Sequence, residues 1–298
     1  MLGSLFALVL GLIDHMGPFK QRISHLLIST FFLVLSLIAG ILTIESIEWQ
    51  IIILFISSFI LGKSKDQGIE LERIILFCIL YFTTMSDSRA LLGQIKPSVS
   101  FSLLGLISYF LFLGITHLFR RDPLPPIKSK RETFKRSLFA KENNYFAIIY
   151  ALTNTLSFIV FKALSFERTY WIIGTILIVM LPDFYLGLYK SLQRIFGTIL
   201  GVILAAFILN TYHSESIILL GVFISALLTP YGMHKNYWLG NLFIASMVIF
   251  FLETNLQMNV LHIAKMRALD ISFGGIIAIF SSYFFLKKYF HNLKPITK

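Results

Sequence analysis

Two apolar runs joined by a short polar stretch constrain the fold of this chain more than any other feature. The runs cover residues 171–181 and 195–209, and the stretch between them contains Pro182, Asp183, Lys190, Gln193 and Arg194. A helix needs about 20 mostly apolar residues to cross a hydrocarbon core about 30 Å thick. Each run approaches that length when it is extended into the polar stretch. The sequence therefore predicts a helical hairpin in a membrane, with a polar hinge.

The exceptions within the hairpin predict how it packs. Pro182 and Asp183 interrupt the first helix near its end. Gly197 and Gly201 place a Gly-x-x-x-Gly spacing on one face of the second helix. Small residues at this spacing let helix backbones approach closely in lipid. We expect this face to contact another helix.

Composition extends the membrane prediction to the whole chain. Hydrophobic residues make up 56% of the 298 residues and charged residues only 14%, against about 25% charged residues in soluble domains. We predict an all-α polytopic membrane protein with about eleven transmembrane helices. The predicted segments are residues 2–16, 23–43, 47–62, 73–85, 98–119, 145–164, 169–186, 195–209, 216–231, 237–252 and 269–286.

A basic linker at residues 120–144 separates a first bundle, residues 1–119, from a second bundle, residues 145–298. The linker holds eight basic residues and three prolines. Basic residues collect on the cytoplasmic side of membrane proteins. A cytoplasmic linker places twenty basic residues inside and five outside, and the C-terminus is then also cytoplasmic. The five outside residues are Arg89, Lys96, Arg168, Lys265 and Arg267.

The two bundles resemble each other. Gly3 and Gly174 begin similar apolar runs 171 residues apart, Arg22 and Arg194 follow them 172 residues apart, and Ser100-Phe101 recurs as Ser272-Phe273 at the same 172-residue spacing. The paired segments have the same predicted orientation, which indicates a parallel repeat. Either the first bundle has five helices against six in the second, or the protein begins upstream of Met1.

The hairpin also resembles a known family. An aromatic-Trp pair, an apolar run, a Pro-Asp step and an Arg followed by Gly-Thr-x-x-x-Gly are similar to the fusaric acid resistance family of bacterial inner-membrane proteins. The matching residues are Tyr170, Trp171, Pro182, Asp183, Arg194, Gly197, Thr198 and Gly201. The resemblance extends to aromatic acid exporters and, more distantly, to plant malate channels. It implies export of organic anions. The linker is too short for the soluble domain that such proteins commonly carry.

Several residues are candidates for substrate binding. Arg22 and Arg194 are equivalent in the repeat, and a guanidinium matches a carboxylate; alternatively, both are positive-inside anchors. Asp183 could carry a proton during transport, or it could simply cap a helix. Gln193 could line a cavity beside the break at Pro182. Tyr170 and Trp171 are either interfacial aromatics or a stacking surface for an aromatic substrate.

The remaining features exclude other classes of protein. No enzyme motif is complete, the basic residues do not suit nucleic acid, and the single cysteine, Cys78, excludes a Cys-based metal site. We expect no enzyme activity, no cofactor and no metal. The predicted partners are the lipid bilayer and a small organic anion, and a homodimer is left open. An efflux permease for aromatic carboxylic acids is the main hypothesis; a passive anion channel and a non-transporting scaffold are the alternatives.

Overall fold

The fold is entirely helical in the part of the chain that the computed structural model describes, which is residues 9–11, 13, 19–65, 69–87, 107–111, 114–115, 144–166, 168–212, 214–256 and 260–286. The longer helices within these ranges are α1 (Phe19–Leu42), α2 (Ile47–Ser64), α3 (Ile69–Asp87), α4 (Asn144–Ala163), α5 (Thr169–Val179), α6 (Phe184–Thr211), α7 (Glu215–Lys235), α8 (Tyr237–Leu256) and α9 (Val260–Ser281). A π-helical turn, Ser282–Leu286, follows α9. The predicted all-α class is confirmed.

The chain divides into two compact units, Met1–Thr155 and Leu156–Lys298, and the division falls within α4. The N-terminal unit packs α1 and α2 against α3. Leu26, Leu33 and Leu37 of α1 are buried with Tyr81 and Met85 of α3 in one apolar cluster. This unit therefore has its own core.

The turn between α1 and α2 in the N-terminal unit is fixed by a buried amide. Gln50 is buried, and its Nε2 donates to the backbone oxygens of Thr43 at 2.6 Å and Ser86 at 3.2 Å. Buried backbone oxygens need such donors when water is excluded. One side chain thus links the turn to the end of α3.

Helix directions in the C-terminal unit follow from its close contacts. Phe184 and Tyr283 stack with ring centroids 6.0 Å apart, and Ile195 lies against Gly275, so α6 and α9 are antiparallel. Contacts of the same kind make α8 parallel to α6, α7 antiparallel to α8, and α5 parallel to α9. The five helices α5–α9 therefore alternate in direction along the chain, as successive membrane crossings do.

Apolar surface covers the outside of these helices. Phe207 of α6 and Leu227 of α7 are 68% and 65% exposed. Within the described residues, five helices are long and apolar enough to cross a membrane: Arg22–Leu42, Ile47–Ser64, Asn144–Ala163, Phe184–Thr211 and Ser216–Lys235. Such faces are stable in contact with lipid. The chain is a multi-pass membrane protein.

The polar hinge is shorter than predicted: the helix is interrupted at Pro182 and Asp183 as expected, but the break does not extend to Arg194. α5 ends at Val179, and α6 begins at Phe184, so the break covers only Met180 to Asp183. Pro182 disfavours helical backbone at Leu181, and the backbone is already extended at Met180, the C-cap of α5, with φ −74° and ψ 114°. The predicted segment at residues 169–186 is therefore two helices, and Lys190, Gln193 and Arg194 lie inside α6.

The last predicted segment also starts too late. α9 begins at Val260 rather than at residue 269, so it contains Arg267, which the sequence placed in an outside loop. The charged residues at this end lower the local hydropathy, so a hydropathy count does not detect the first turns of α9. The predicted segments at residues 2–16 and 98–119 and the linker at residues 120–144 lie largely outside the described residues.

Candidate functional site

The junction between α5 and α6 is a helix cap. The side chain of Asp183 is exposed, and its Oδ1 accepts a hydrogen bond from the backbone N–H of Leu186 at 2.9 Å. This is the usual arrangement of an N-cap aspartate, which satisfies a backbone donor that the first turn leaves free. The geometry corresponds to the capping interpretation of Asp183.

Arg194 lies on the inner face of α6, about 15 Å along the helix from its start. Its guanidinium is buried, and Nη1 donates to the hydroxyl of Tyr237 at 3.3 Å and to Oδ1 of Asn241 at 3.2 Å. Asn241 in turn donates from Nδ2 to the backbone oxygen of Tyr237 at 2.7 Å. That bond fixes the amide so that its oxygen faces Arg194. Both partners are uncharged side chains, so neither balances the charge of the guanidinium.

Close packing of α6 on α8 makes these hydrogen bonds possible. A methyl group on Gly197 would collide with the backbone oxygen of Trp238, and one on Gly201 would collide with that of Leu242. The hydroxyl of Ser246 also donates to the backbone oxygen of Gly201 at 2.9 Å. The predicted contact face of Gly197 and Gly201 thus lies between two helices of the same chain.

Arg267 of α9 is a second buried arginine. Its Cζ lies 3.3 Å from the ring centroid of Trp171 in α5, and only 4% of its surface is exposed. Stacking of this kind stabilises a guanidinium through the negative face of the indole. Arg267 also interacts electrostatically with Arg194, Tyr170, Asp270 and Arg168. The two arginines therefore belong to one cluster.

The cluster carries a net positive charge. Within the described residues of the C-terminal unit, the buried charged side chains are Arg194, Arg267 and Asp270. Asp270 is completely buried and lies one turn after Arg267 on α9, where residues three apart share a face. The two buried cations and one buried anion leave a charge of +1; Arg168, which is partly exposed to solvent, is not counted.

Unused hydrogen-bond donors accompany this charge. Nε of Arg194, Nε and Nη1 of Arg267, and Nε1 of Trp171 are buried and have no acceptor within the described part of the chain. A buried donor without an acceptor costs about 1–3 kcal/mol, and more when the group is charged. All these groups donate and none accepts. The carboxylate of Asp270 is a buried acceptor in the same cluster, and a further group rich in acceptor oxygens would suit the donors named here.

The start of α5 adds to the positive potential. Thr169 is completely buried, and Trp171 lies in the first turn. The N-terminal end of a helix carries roughly half a positive elementary charge. α5 is an 11-residue helix, so this end lies within the packed unit beside Arg267. The start of α5 and the two arginines therefore all favour a negatively charged ligand.

Comparison with known proteins gives one match. The model of the fusaric acid resistance protein-like family matches residues 155–281. The predicted resemblance is confirmed for this part of the chain, and it indicates a membrane transport-related protein. No curated protein and no solved structure matches the chain.

The fusaric acid resistance-like part contains the whole buried cluster: Trp171, Arg194, Tyr237, Asn241, Arg267 and Asp270 all fall within the matched residues. Among the predicted site residues, the structure brings together Arg194, Trp171 and Tyr170, whose ring lies 5.1 Å from that of Trp171. Gln193 is half-buried on α6, and Pro182 and Asp183 lie at the helix junction. Arg22 is half-buried on α1 of the N-terminal unit.

Sequence reasoning missed Arg267, Asp270 and Asn241 as members of one site. A signal did exist for Arg267. It lies three residues before Asp270, in a stretch that continues as an apolar helix, and a charge pair at this spacing on a membrane helix is expected to be buried in protein.

Proposed function

We propose that the protein is an efflux permease of the bacterial inner membrane and that it exports organic anions such as aromatic carboxylic acids. One observation carries the proposal: buried donors of Arg194, Arg267 and Trp171 have no acceptor within the described residues, Arg267 stacks on Trp171, and the two arginines interact electrostatically. Charges within a membrane protein are costly and are retained mainly along substrate paths. The family match supports transport as the activity.

A carboxylate suits these donors better than a halide or a neutral solute. Its two oxygens accept parallel hydrogen bonds from a guanidinium, and two guanidinium groups are available. A ring attached to the carboxylate would enter surroundings rich in aromatic side chains, since Tyr170 and Trp171 lie together at the start of α5. Arg194 and Arg267 are thus the proposed ligands of the carboxylate, and the aromatic pair is the proposed contact of the ring.

The proposed direction of transport rests on orientation. With Lys63, Arg194 and Arg267 removed from the loop counts because they are buried in helices, eighteen basic residues remain on the side of the linker and four on the other. This bias supports a cytoplasmic linker and C-terminus. Export then moves substrate from the side of the α5–α6 junction to the opposite side.

Retention of labelled acids in cells tests the proposal. Cells with the wild-type protein, with Arg267→Ala, with Lys265→Ala or with no protein are loaded with labelled aromatic and aliphatic carboxylates at equal membrane expression. We expect wild-type cells to retain less of at least one aromatic acid and Arg267→Ala cells to retain as much as cells without protein. Lys265 is the matched control, because it is an exposed cation on the same helix, and its replacement should leave export intact.

Two results would contradict the proposal. Equal retention in all four strains across the panel excludes organic acid export. Equal loss of export in the Lys265 and Arg267 variants shows that positive charge on α9, rather than the buried cluster, is what matters. If the protein instead conducts anions passively, currents in planar bilayers will rise with substrate concentration with only weak saturation.

A further inference from the structure

We propose that Asp270 holds the charge of the buried cluster at +1 and thereby makes the site selective for anions with one negative charge over anions with two. The inference rests on the proposed function, because it names the residue that sets the class of organic anion accepted by the same site. Asp270 acts here as a specificity-determining residue. It need not touch the substrate.

The position of Asp270 is fixed by the packing of α9. A Cβ atom on Gly274 would lie 2.8 Å from the backbone oxygen of Ile172 in α5, and one on Gly275 would lie 2.7 Å from Cδ1 of Ile195 in α6. The helix therefore contacts both neighbours through glycine and has no room to rotate. Asp270, one turn earlier, is held beside Arg267 with no exposed surface.

The polar and charged groups near Asp270 come from α9 itself and from the helices around it. Arg267 on the same helix interacts electrostatically with Asp270, with Arg194 on α6 and with Tyr170 on α5, and Tyr237 of α8 accepts a hydrogen bond from Arg194. Arg168 lies at the partly exposed end of α5. Asp270 is the one buried carboxylate within the described residues of this unit. Asp270 therefore determines the net charge of the cluster.

Charge arithmetic gives the selectivity. A single carboxylate bound to a cluster of charge +1 leaves the site neutral, whereas a dicarboxylate leaves an excess negative charge away from water. At an effective dielectric constant of about 20, a unit charge about 10 Å away changes the affinity for a monoanion by roughly tenfold. The interaction scales with the product of the charges, so a dianion is affected roughly by the square of that factor.

Binding of two matched probes to purified protein tests the inference. Benzoate and isophthalate share a ring and carry one and two carboxylates, which are ionised at about pH 7.5 because carboxyl groups titrate near pH 4. Isothermal titration calorimetry gives the ratio of their dissociation constants for the wild type, Asp270→Asn, Arg194→Gln and the double variant. The cluster then carries +1, +2, 0 and +1 charge respectively.

We expect the preference for isophthalate relative to benzoate to follow this charge. The ratio should rise about tenfold in Asp270→Asn, fall about tenfold in Arg194→Gln and return to the wild-type value in the double variant. If Asp270→Asn does not fold, the fall in Arg194→Gln still tests the dependence on charge.

A ratio that stays constant across the variants would overturn the inference, because a merely structural role for Asp270 weakens both probes equally. That result would leave the proposed function standing. If the wild type binds neither probe, both the proposed function and the role of Asp270 are contradicted.

Discussion

At the scale of single residues, Arg267 shows how a charge is held inside a membrane protein without a full set of hydrogen bonds. The indole of Trp171 covers one face of its guanidinium at 3.3 Å, and the buried carboxylate of Asp270 interacts with it electrostatically. Neither group accepts a hydrogen bond from the buried donors Nε and Nη1 of Arg267. The site is therefore organised before any ligand arrives, and a ligand would not need to displace an acceptor from these two atoms.

Asp183 allows a prediction at the scale of one residue. Because its side chain caps α6, its replacement should change the stability of the protein without changing its affinity for benzoate. Replacing it with alanine should lower the free energy of unfolding by about 1 kcal/mol, the usual effect of losing an N-cap side chain. Asp183→Asn keeps an acceptor oxygen and should restore most of the stability. Thermal unfolding of the purified variants measures the first effect, and calorimetric titration with benzoate should show an unchanged dissociation constant for both.

A contrary result would be informative. If Asp183→Asn lowers benzoate affinity or export while its unfolding temperature matches the wild type, the carboxylate has a role in transport that its exposed position does not predict, and the proton-carrier hypothesis for Asp183 regains support.

At the scale of helices, the contact between α6 and α8 positions Arg194 against its partners. Gly197→Ala should separate the two helices, because even a methyl group would overlap the backbone oxygen of Trp238. We expect a loss of more than about 2 kcal/mol of stability, as in overpacked cores, together with weaker benzoate binding as Tyr237 and Asn241 move away. Thermal unfolding and titration measure the two effects.

Gly114→Ala is the matched control for this prediction, since a methyl group there meets no atom of the described residues within 4 Å. It should leave both quantities unchanged. A Gly197→Ala protein as stable as the wild type would mean that α6 and α8 are not packed as closely as described.

The helices were predicted better than their boundaries. Runs of apolar residues identify membrane helices because a helix that contacts lipid is stable when its exterior is apolar. Lys190, Gln193 and Arg194 were placed in a hinge because polar residues at the end of an apolar run usually mark the water interface. Here Arg194 faces α8, where Tyr237 and Asn241 accept its hydrogen bonds. That contact is long-range, so local hydropathy does not contain it.

The candidate site was predicted in part for the same reason. Arg194 and Trp171 could be named from the motif, whereas Arg267 and Asp270 come from a helix that packs against both from the far end of the chain. A single sequence does not show which distant polar residues face each other. The duplicated bundle stays a prediction, as does the pairing of Arg22 with Arg194 that it implies.

At the scale of the whole molecule, orientation connects the buried site to the direction of transport. The alternation of α5–α9 puts the α5–α6 junction and the end of α7 on one side of the membrane and the start of α7 on the other. The charge bias of eighteen to four supports the proposal that the first side is cytoplasmic. α7 itself is apolar and long enough to cross the bilayer.

The two exposed ends of α7, Ser214 and Asn236, allow a matched test of this orientation. Each is replaced by cysteine in a protein whose native Cys78 is changed to alanine, and a membrane-impermeant maleimide is added to intact spheroplasts or to inverted vesicles. We expect Ser214→Cys to react in spheroplasts only and Asn236→Cys in inverted vesicles only. The reverse pattern would turn the proposed exporter into an importer with the same site, and labelling of both from one side would show that α7 does not cross the membrane.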